Sequence, residues 1–217
     1  LSELKTNQGS ISIETNLKLA TKAFHLTSHY DKLIHRYLFE TATESKAESS
    51  LFPDHIKLHY TKFEDLRYGE NPHQKAAFYL STEIDNIKEP CIAKSVQLHG
   101  KDLSFNNIVD LNAALECVKE FKQPACAIVK HCNPCGVGTS ESINDAFQLA
   151  LSGDPVSAFG GIIAFNRKVD DKTASAIHEL FIEAIIAPSF TEGALSILKT
   201  KKNIRILSIL NFENGFQ

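Results

Sequence analysis

The chain has 217 residues, 43% of them hydrophobic and 23% charged, with a formal net charge of −3. A chain of this length buries roughly 70% of its unfolded surface, enough for one sizeable core with room for an appendage. The near-neutral balance excludes a nucleic-acid footprint, since the only dense basic run is Lys199–Lys202, read as a solvated helix end. No apolar stretch reaches the length of a membrane span, and the amino-terminal residues lack a signal-peptide layout. The odd set Cys91, Cys117, Cys126, Cys132 and Cys135 argues against a secreted disulfide framework and for a reducing, cytoplasmic setting. The chain starts at Leu1 and holds no Met, which reads as a segment of a longer product or a sequence from which Met positions are missing.

Leu17, Ala20, Phe24, Leu33, Ile34, Tyr37 and Leu38 recur at steps of three and four, predicting a helix over Ile13–Phe39. The polar stretch Thr41–Ser50 reads as a linker, so residues 1–50 form a helical segment and 51–217 a folded lobe. Ile56, Leu58 and Tyr60 alternate with polar residues, predicting a half-buried strand, and Ala76–Leu80 a second one. From Asn107 the pattern alternates. Helices are expected over Asn107–Phe121, Ser142–Leu151, Lys172–Phe181 and Glu192–Lys199. Strands are expected over Ala125–Lys130 (buried on both faces), Ile162–Phe165, Ile185–Ala187 and Ile204–Ile209. That rhythm predicts an α/β fold, a mixed or parallel sheet covered by helices on both faces.

The segment richest in chemistry is Lys130-His131-Cys132-Asn133-Pro134-Cys135-Gly136. In open α/β sheets ligands collect beyond the carboxyl ends of strands, where Lys130 and His131 stand. Neighbouring side chains of a strand point to opposite faces, so both can serve one site only if the backbone leaves strand geometry, for which Asn133-Pro134 is a reason. An imidazole can act as a base near neutrality, and an adjacent ammonium can stabilise developing negative charge. The plainer alternative is a surface Lys and a His satisfied in a turn. Cys132-x-x-Cys135 also resembles a thiol redox motif, although no helix opens directly after it. A zinc site lacks an evident fourth ligand.

Other segments carry weaker signals. The loop Arg67–Gln74 offers Arg67, a fixed planar cation suited to a phosphate or carboxylate, with Tyr68 and His73 as further donors. Gly136-Val137-Gly138-Thr139 could present backbone N–H groups to an anion ahead of a helix. Phe159-Gly160-Gly161 allows a ligand to approach backbone and gives it a ring to stack on; the alternative is a tight turn with a core Phe. Glu183 is a carboxylate within the apolar run Phe181–Ala187, at a strand edge or in a polar site.

Five ordered segments, Arg67–Gln74, Leu103–Ile108, Lys130–Gly136, Asp154–Gly161 and Ile185–Pro188, together resemble the bifunctional AICAR formyltransferase/IMP cyclohydrolase family, in its bacterial form. The resemblance spans nearly the whole chain. It implies a cytidine-deaminase-like three-layer α/β/α lobe, the first of the formyltransferase domain, with an N-terminal helical linker segment. It implies transfer of a formyl group from 10-formyltetrahydrofolate to the 5-amino group of AICAR (5-aminoimidazole-4-carboxamide ribonucleotide), giving FAICAR. His131 then matches the proton-transfer histidine, and Lys130 the lysine that stabilises the tetrahedral intermediate. Arg67 and Tyr68 match residues holding phosphate and ribose, while Asn107, Phe159 and Gly160 match contacts to the base and carboxamide. Glu183 falls near an acidic residue of the nucleotide site. The family implies no metal, small-molecule partners only, a homodimeric cytoplasmic parent enzyme, a cyclohydrolase domain ahead of Leu1 and a second lobe after Gln217. On that view this segment alone does not turn over. Two readings from other classes stand beside it: a thiol redox protein using Cys132 and Cys135, and a non-catalytic nucleotide-binding module.

Overall fold

The computed structural model describes residues 1–43, 52, 56 and 58–209, which fall into two units, Leu1–Lys57 and Leu58–Gln217. In the first unit, α1 (Ser2–Thr6) is followed by the 31-residue α2 (Ile13–Thr43). Glu3 ties the turn between them, accepting from the Ser12 N–H at 2.8 Å and the Thr15 hydroxyl at 2.6 Å. The Thr15 hydroxyl, first among these contacts, holds the Glu3 carboxyl below the ordinary carboxylate range. Helix α2 runs past Phe39 to Thr43 because nothing stops it: residues 40–43 include no Gly or Pro, and the Thr41 hydroxyl donates to the Tyr37 carbonyl at 2.8 Å. The remainder of the expected linker, residues 44–50, lies outside the described residues. None of the described residues of this unit is buried.

The second unit opens with an antiparallel pair, β1 (Tyr60–Leu66) and β2 (Ala76–Ser81). The strand expected over Ile56–Tyr60 instead begins at Tyr60. Its ladder partner, β2, ends at Ser81 opposite Tyr60, and Lys57 within the expected span lies outside the described residues.

The main sheet has six strands in the order β3 (Val96–His99), β8 (Arg205–Ser208), β7 (Ile182–Ala187), β6 (Gly161–Phe165), β4 (Ala125–Lys130), β5 (Asn133–Thr139). β6, β7 and β8 are mutually parallel, whereas β3, β4 and β5 join by antiparallel pairing, which makes the sheet mixed. Strand β3 has no counterpart in the sequence reading, because its four residues sit at the sheet edge and stay mostly exposed. Strand β7 starts at Ile182 rather than Ile185, since the parallel ladder with β6 already engages Ile182 opposite Gly161.

The alternation of each strand divides the core in two. Cys126, Ile128, Ile163, Phe165, Ile185 and Ile206 face α4 (Ile143–Gly153), α5 (Asp171–His178) and α6 (Glu192–Lys199). Ala127, Val129, Ile162, Ala184, Ile186 and Leu207 face α3 (Phe105–Lys119). This is the three-layer α/β/α arrangement expected from the sequence. Helix starts are set by side-chain caps: Ser104 for α3, Ser142 for α4, Asp170 for α5 and Thr191 for α6 each accept an N–H from the first turn. Helix α5 ends at His178, leaving Phe181 outside it.

One buried polar residue fastens the turn after α3 to the sheet. Asn166 accepts the Ala125 N–H at 2.7 Å and donates to the Phe121 and Gln123 carbonyls, both at 2.8 Å. Replacing Asn166 with Ala leaves these groups without their partner in a dry place, which costs about 3 kcal/mol. A correspondingly lowered midpoint in urea denaturation is expected, with the slope unchanged.

Candidate functional site

The direction of β4 gathers the candidate residues at one end of the sheet. β4 runs antiparallel to β6, with Val129 opposite Ile162, so its carboxyl end lies beside the amino ends of β6, β7 and β8. A site at carboxyl ends was expected. Here only β3 and β4 present carboxyl ends, and the parallel strands present amino ends. A cleft of about 710 Å³ opens there, lined by Arg67, Tyr68, Phe159, Phe181, Glu183 and Arg205 among others.

Arg67 and Tyr68 reach it because their backbone pairs with the segment leading into α3. The Arg67 N–H donates to the Leu103 carbonyl at 3.1 Å, and the Phe105 N–H to the Tyr68 carbonyl at 3.2 Å. The Arg67 guanidinium lies 5.3 Å from the centre of the Tyr68 ring, within cation–π range. Within the loop, Gly69 and Gln74 close a turn: the Gly69 N–H donates to the Gln74 carbonyl at 3.1 Å, and the Gln74 side chain accepts from Asn71 at 2.9 Å.

Glu183 arrives by a local irregularity. Gly161 pairs with Ile182 and Ile162 with Ala184, so Glu183 is an extra residue in β7, a bulge. Regular alternation would put Glu183 on the face of Ile185, inside the apolar layer under α4–α6. The bulge sends Ile182 into that layer instead, and turns Glu183 toward α3. There its Oε2 accepts from the Asn107 Nδ2 at 3.0 Å and lies 3.6 Å from the Arg205 Nη1. Asn107 is itself oriented by the cap of α3: its Oδ1 accepts from the Ser104 N–H at 3.1 Å and the Ser104 hydroxyl at 2.9 Å, leaving Nδ2 for Glu183. The sequence reading missed Arg205. The available signal was its place in the apolar run Ile204–Leu207, where a cation needs a partner.

Phe159 is not a core residue. It is 59% exposed and leans on Phe181, with ring centroids 5.1 Å apart. Gly160 holds the turn at φ +75°, where a side chain would be strained, and its N–H donates to the Phe181 carbonyl at 2.8 Å. The Phe159 carbonyl accepts from the Lys130 Nζ at 2.9 Å, which sets Lys130 at the border of the cleft.

His131 stands on the tip of a two-residue hairpin, exposed and outside the residues that line the cleft. Lys130 pairs with Asn133 across it, and His131 and Cys132 both take left-handed backbone angles, φ 52° and 61°. The break from strand geometry therefore comes at His131-Cys132, and Asn133-Pro134 already belongs to β5. Two non-glycine residues in this region store strain of order 1–3 kcal/mol each. Asp110 on α3 offsets it by accepting the Cys132 N–H at 2.8 Å, and the Asn133 side chain donates to the His131 carbonyl at 2.7 Å. Gly136 and Gly138 lie within β5 rather than in an anion-binding loop. Their missing side chains let α4 lie close, since a Cβ on Gly136 would sit 1.9 Å from the Ala150 carbonyl. Among the described residues no group of three or more His, Cys, Asp or Glu could hold a metal ion, and no helix is long and apolar enough to cross a membrane.

A model of the AICARFT/IMPCHase bienzyme family matches residues 1–216. The chain belongs to this family. The bifunctional purine biosynthesis protein PurH of Acetivibrio thermocellus is 52% identical over 209 residues, covering 96% of this chain and 39% of the relative. That of Ruminiclostridium cellulolyticum is 51% identical over 203 residues, covering 94% and 38%. The chain thus spans about two-fifths of the length of these AICARFT/IMPCHase relatives. A solved structure of a proposed formate dehydrogenase accessory protein from Desulfotalea psychrophila aligns over 43% of this chain and 47% of its own, at 9% identity and a TM-score of 0.35, too low to bear on the family's fold.

The thiols bear on the redox reading. Burial first and the Asp110 carboxylate second push the Cys132 thiol above its ordinary value, and burial with Asp154 does the same to Cys135. A raised thiol is less ionised at neutral pH, hence a poor nucleophile. Alkylation of Cys132 by iodoacetamide at pH 8, followed by peptide mass spectrometry, should be slower than that of free cysteine. Asp110→Asn should accelerate it.

Proposed function

We propose that this chain carries the first lobe of an AICAR formyltransferase site, within an enzyme that also serves as IMP cyclohydrolase in purine biosynthesis. The observation that supports it most is the single cleft shared by Arg67, Tyr68, Phe159 and Glu183, with Asn107 bonded to that glutamate and Lys130 at the border. An aminoimidazole nucleotide carries a dianionic phosphate, a ribose, a flat base and neutral N–H donors. Arg67 suits the phosphate and Tyr68 the ribose, Phe159 and Gly160 the base, and Glu183 with Asn107 the amine and carboxamide.

In the reaction, the 5-amino nitrogen attacks the formyl carbon of 10-formyltetrahydrofolate to give a tetrahedral intermediate. Its collapse breaks the bond to N10 of the folate, which leaves and takes up a proton. The attacking amine is weak because its lone pair is delocalised into the ring and carboxamide. Removal of its proton during attack is the task assigned to His131, and stabilisation of the oxyanion the task assigned to Lys130. The strained hairpin that displays His131 at its tip, held by Asp110, is consistent with a side chain that must reach substrate. A homodimeric, cytoplasmic parent enzyme belongs to the same proposal, as does a site completed by chain outside this segment.

In the full-length protein, His131→Ala should lower the rate of formyl transfer roughly 10²- to 10⁴-fold, as loss of a general base does. The double change Cys132→Ser, Cys135→Ser should leave the rate near that of the parent, measured by formation of tetrahydrofolate. Intact formyl transfer by His131→Ala would instead favour a nucleotide-binding module, and loss in the cysteine variant equal to that of His131→Ala would favour the redox reading.

A further inference from the structure

We propose that Arg205 is a positioning residue for the nucleotide site, clamping the Glu183 carboxylate so that one oxygen faces the bound base. The inference rests on the function proposed above and adds to it a second residue at the Glu183 carboxylate besides Asn107. Arg205 opens β8 opposite Ala184. It is 5% exposed, although it lies at the cleft wall. Its Nε donates to the Asp102 carbonyl at 3.2 Å, while Nη1 stands 3.6 Å from the Glu183 Oε2. The planar guanidinium is thus held at one edge by backbone and offers another to the carboxylate, an arrangement a lysine cannot reproduce.

The geometry at Glu183 explains what the clamp achieves. Asn107 and Arg205 both approach Oε2. A carboxylate held by one hydrogen bond can swing about that contact, whereas the added ion-pair contact with the Arg205 guanidinium restrains it. Oε1 is then presented to the cleft, where Glu183 remains 46% exposed, in a position to accept an N–H from an exocyclic amine or carboxamide. The bulge in β7 would otherwise leave the residue free to relax toward solvent. Electrostatics agree with the contact: burial lowers the pKa of Arg205, the Glu183 charge works against that shift, and Arg67 across the cleft reinforces it.

The test is a double-mutant cycle in the full-length enzyme, comparing Arg205→Gln, Glu183→Gln and the pair, with melting temperatures recorded for each. Arg205→Gln is expected to raise the KM for AICAR about 10-fold, the effect of removing the cationic partner of a partly buried carboxylate. The KM for 10-formyltetrahydrofolate should stay put, and kcat should fall less than KM rises. In the Glu183→Gln background the same change should cost less than about threefold, because the residue through which Arg205 acts is already altered. Arg205→Lys should recover only part of the loss. Equal losses in both backgrounds, or a lowered melting temperature with KM unmoved, would overturn the positioning role. If Arg205→Gln does not fold, the Arg205→Lys variant alone decides, since full AICAR affinity in it excludes the clamp. A parent enzyme that transfers formyl normally while Arg205 shows no coupling removes this inference only. A parent enzyme that neither binds AICAR nor transfers formyl removes the functional reading and this inference with it.

Discussion

The antiparallel pairing of β4 with β6 is the constraint on which the site depends. Had β4 joined the sheet in the sense of β6, β7 and β8, Lys130 would lie at the far end from Phe159, Glu183 and Arg205. Because the pairing is reversed, a strand end and three strand beginnings meet at one edge. The pairing is secured by apolar burial on both faces: Ala125 to Val129 are all nearly or fully inaccessible, as are Ile162 to Phe165. A one-residue slip would exchange the layer facing α3 with the layer facing α4–α6, moving every side chain to the wrong neighbour.

Around that frame, polar contacts with fixed direction place the working groups. Ser104 caps α3 and orients Asn107, Asn107 reaches Glu183, and Arg205 closes on the same carboxylate oxygen. A second chain of contacts runs from Asp110 to the Cys132 N–H and sustains the left-handed turn at His131-Cys132. Helix α3 supplies both, through residues one turn apart. Its seating on the sheet, with the turn after it held by Asn166, therefore bears on both halves of the proposed chemistry.

Among the departures from regular secondary structure, two each aim one side chain of the candidate site. The bulge in β7 spares Glu183 from an apolar layer where an unpaired carboxylate would be costly. The tight hairpin after β4 displays His131, whose neighbour Lys130 turns instead to the Phe159 carbonyl. These are also the places where a pattern-based reading is least informed. Bulges and left-handed non-glycine turns arise from pairing and tertiary contact, and neither leaves a mark in hydrophobic periodicity.

The sequence by itself determined the α/β class, the two-faced burial of β4, most helix spans, the ordered motifs that mark the family, and the list of polar residues worth following. Those properties follow from local periodicity, capping chemistry and residue type, all of which act over a few neighbours. Tertiary structure alone decided that the Gly136 and Gly138 pair serves helix packing and not anion binding, that Phe159 is exposed, and that β7 begins three residues early. It also decided that Arg205, silent in any motif, sits against Glu183. The reason is physical: strand direction, register and the partner of a buried charge depend on segments as far as 103 residues apart, as in the contact of Arg205 with the Asp102 carbonyl.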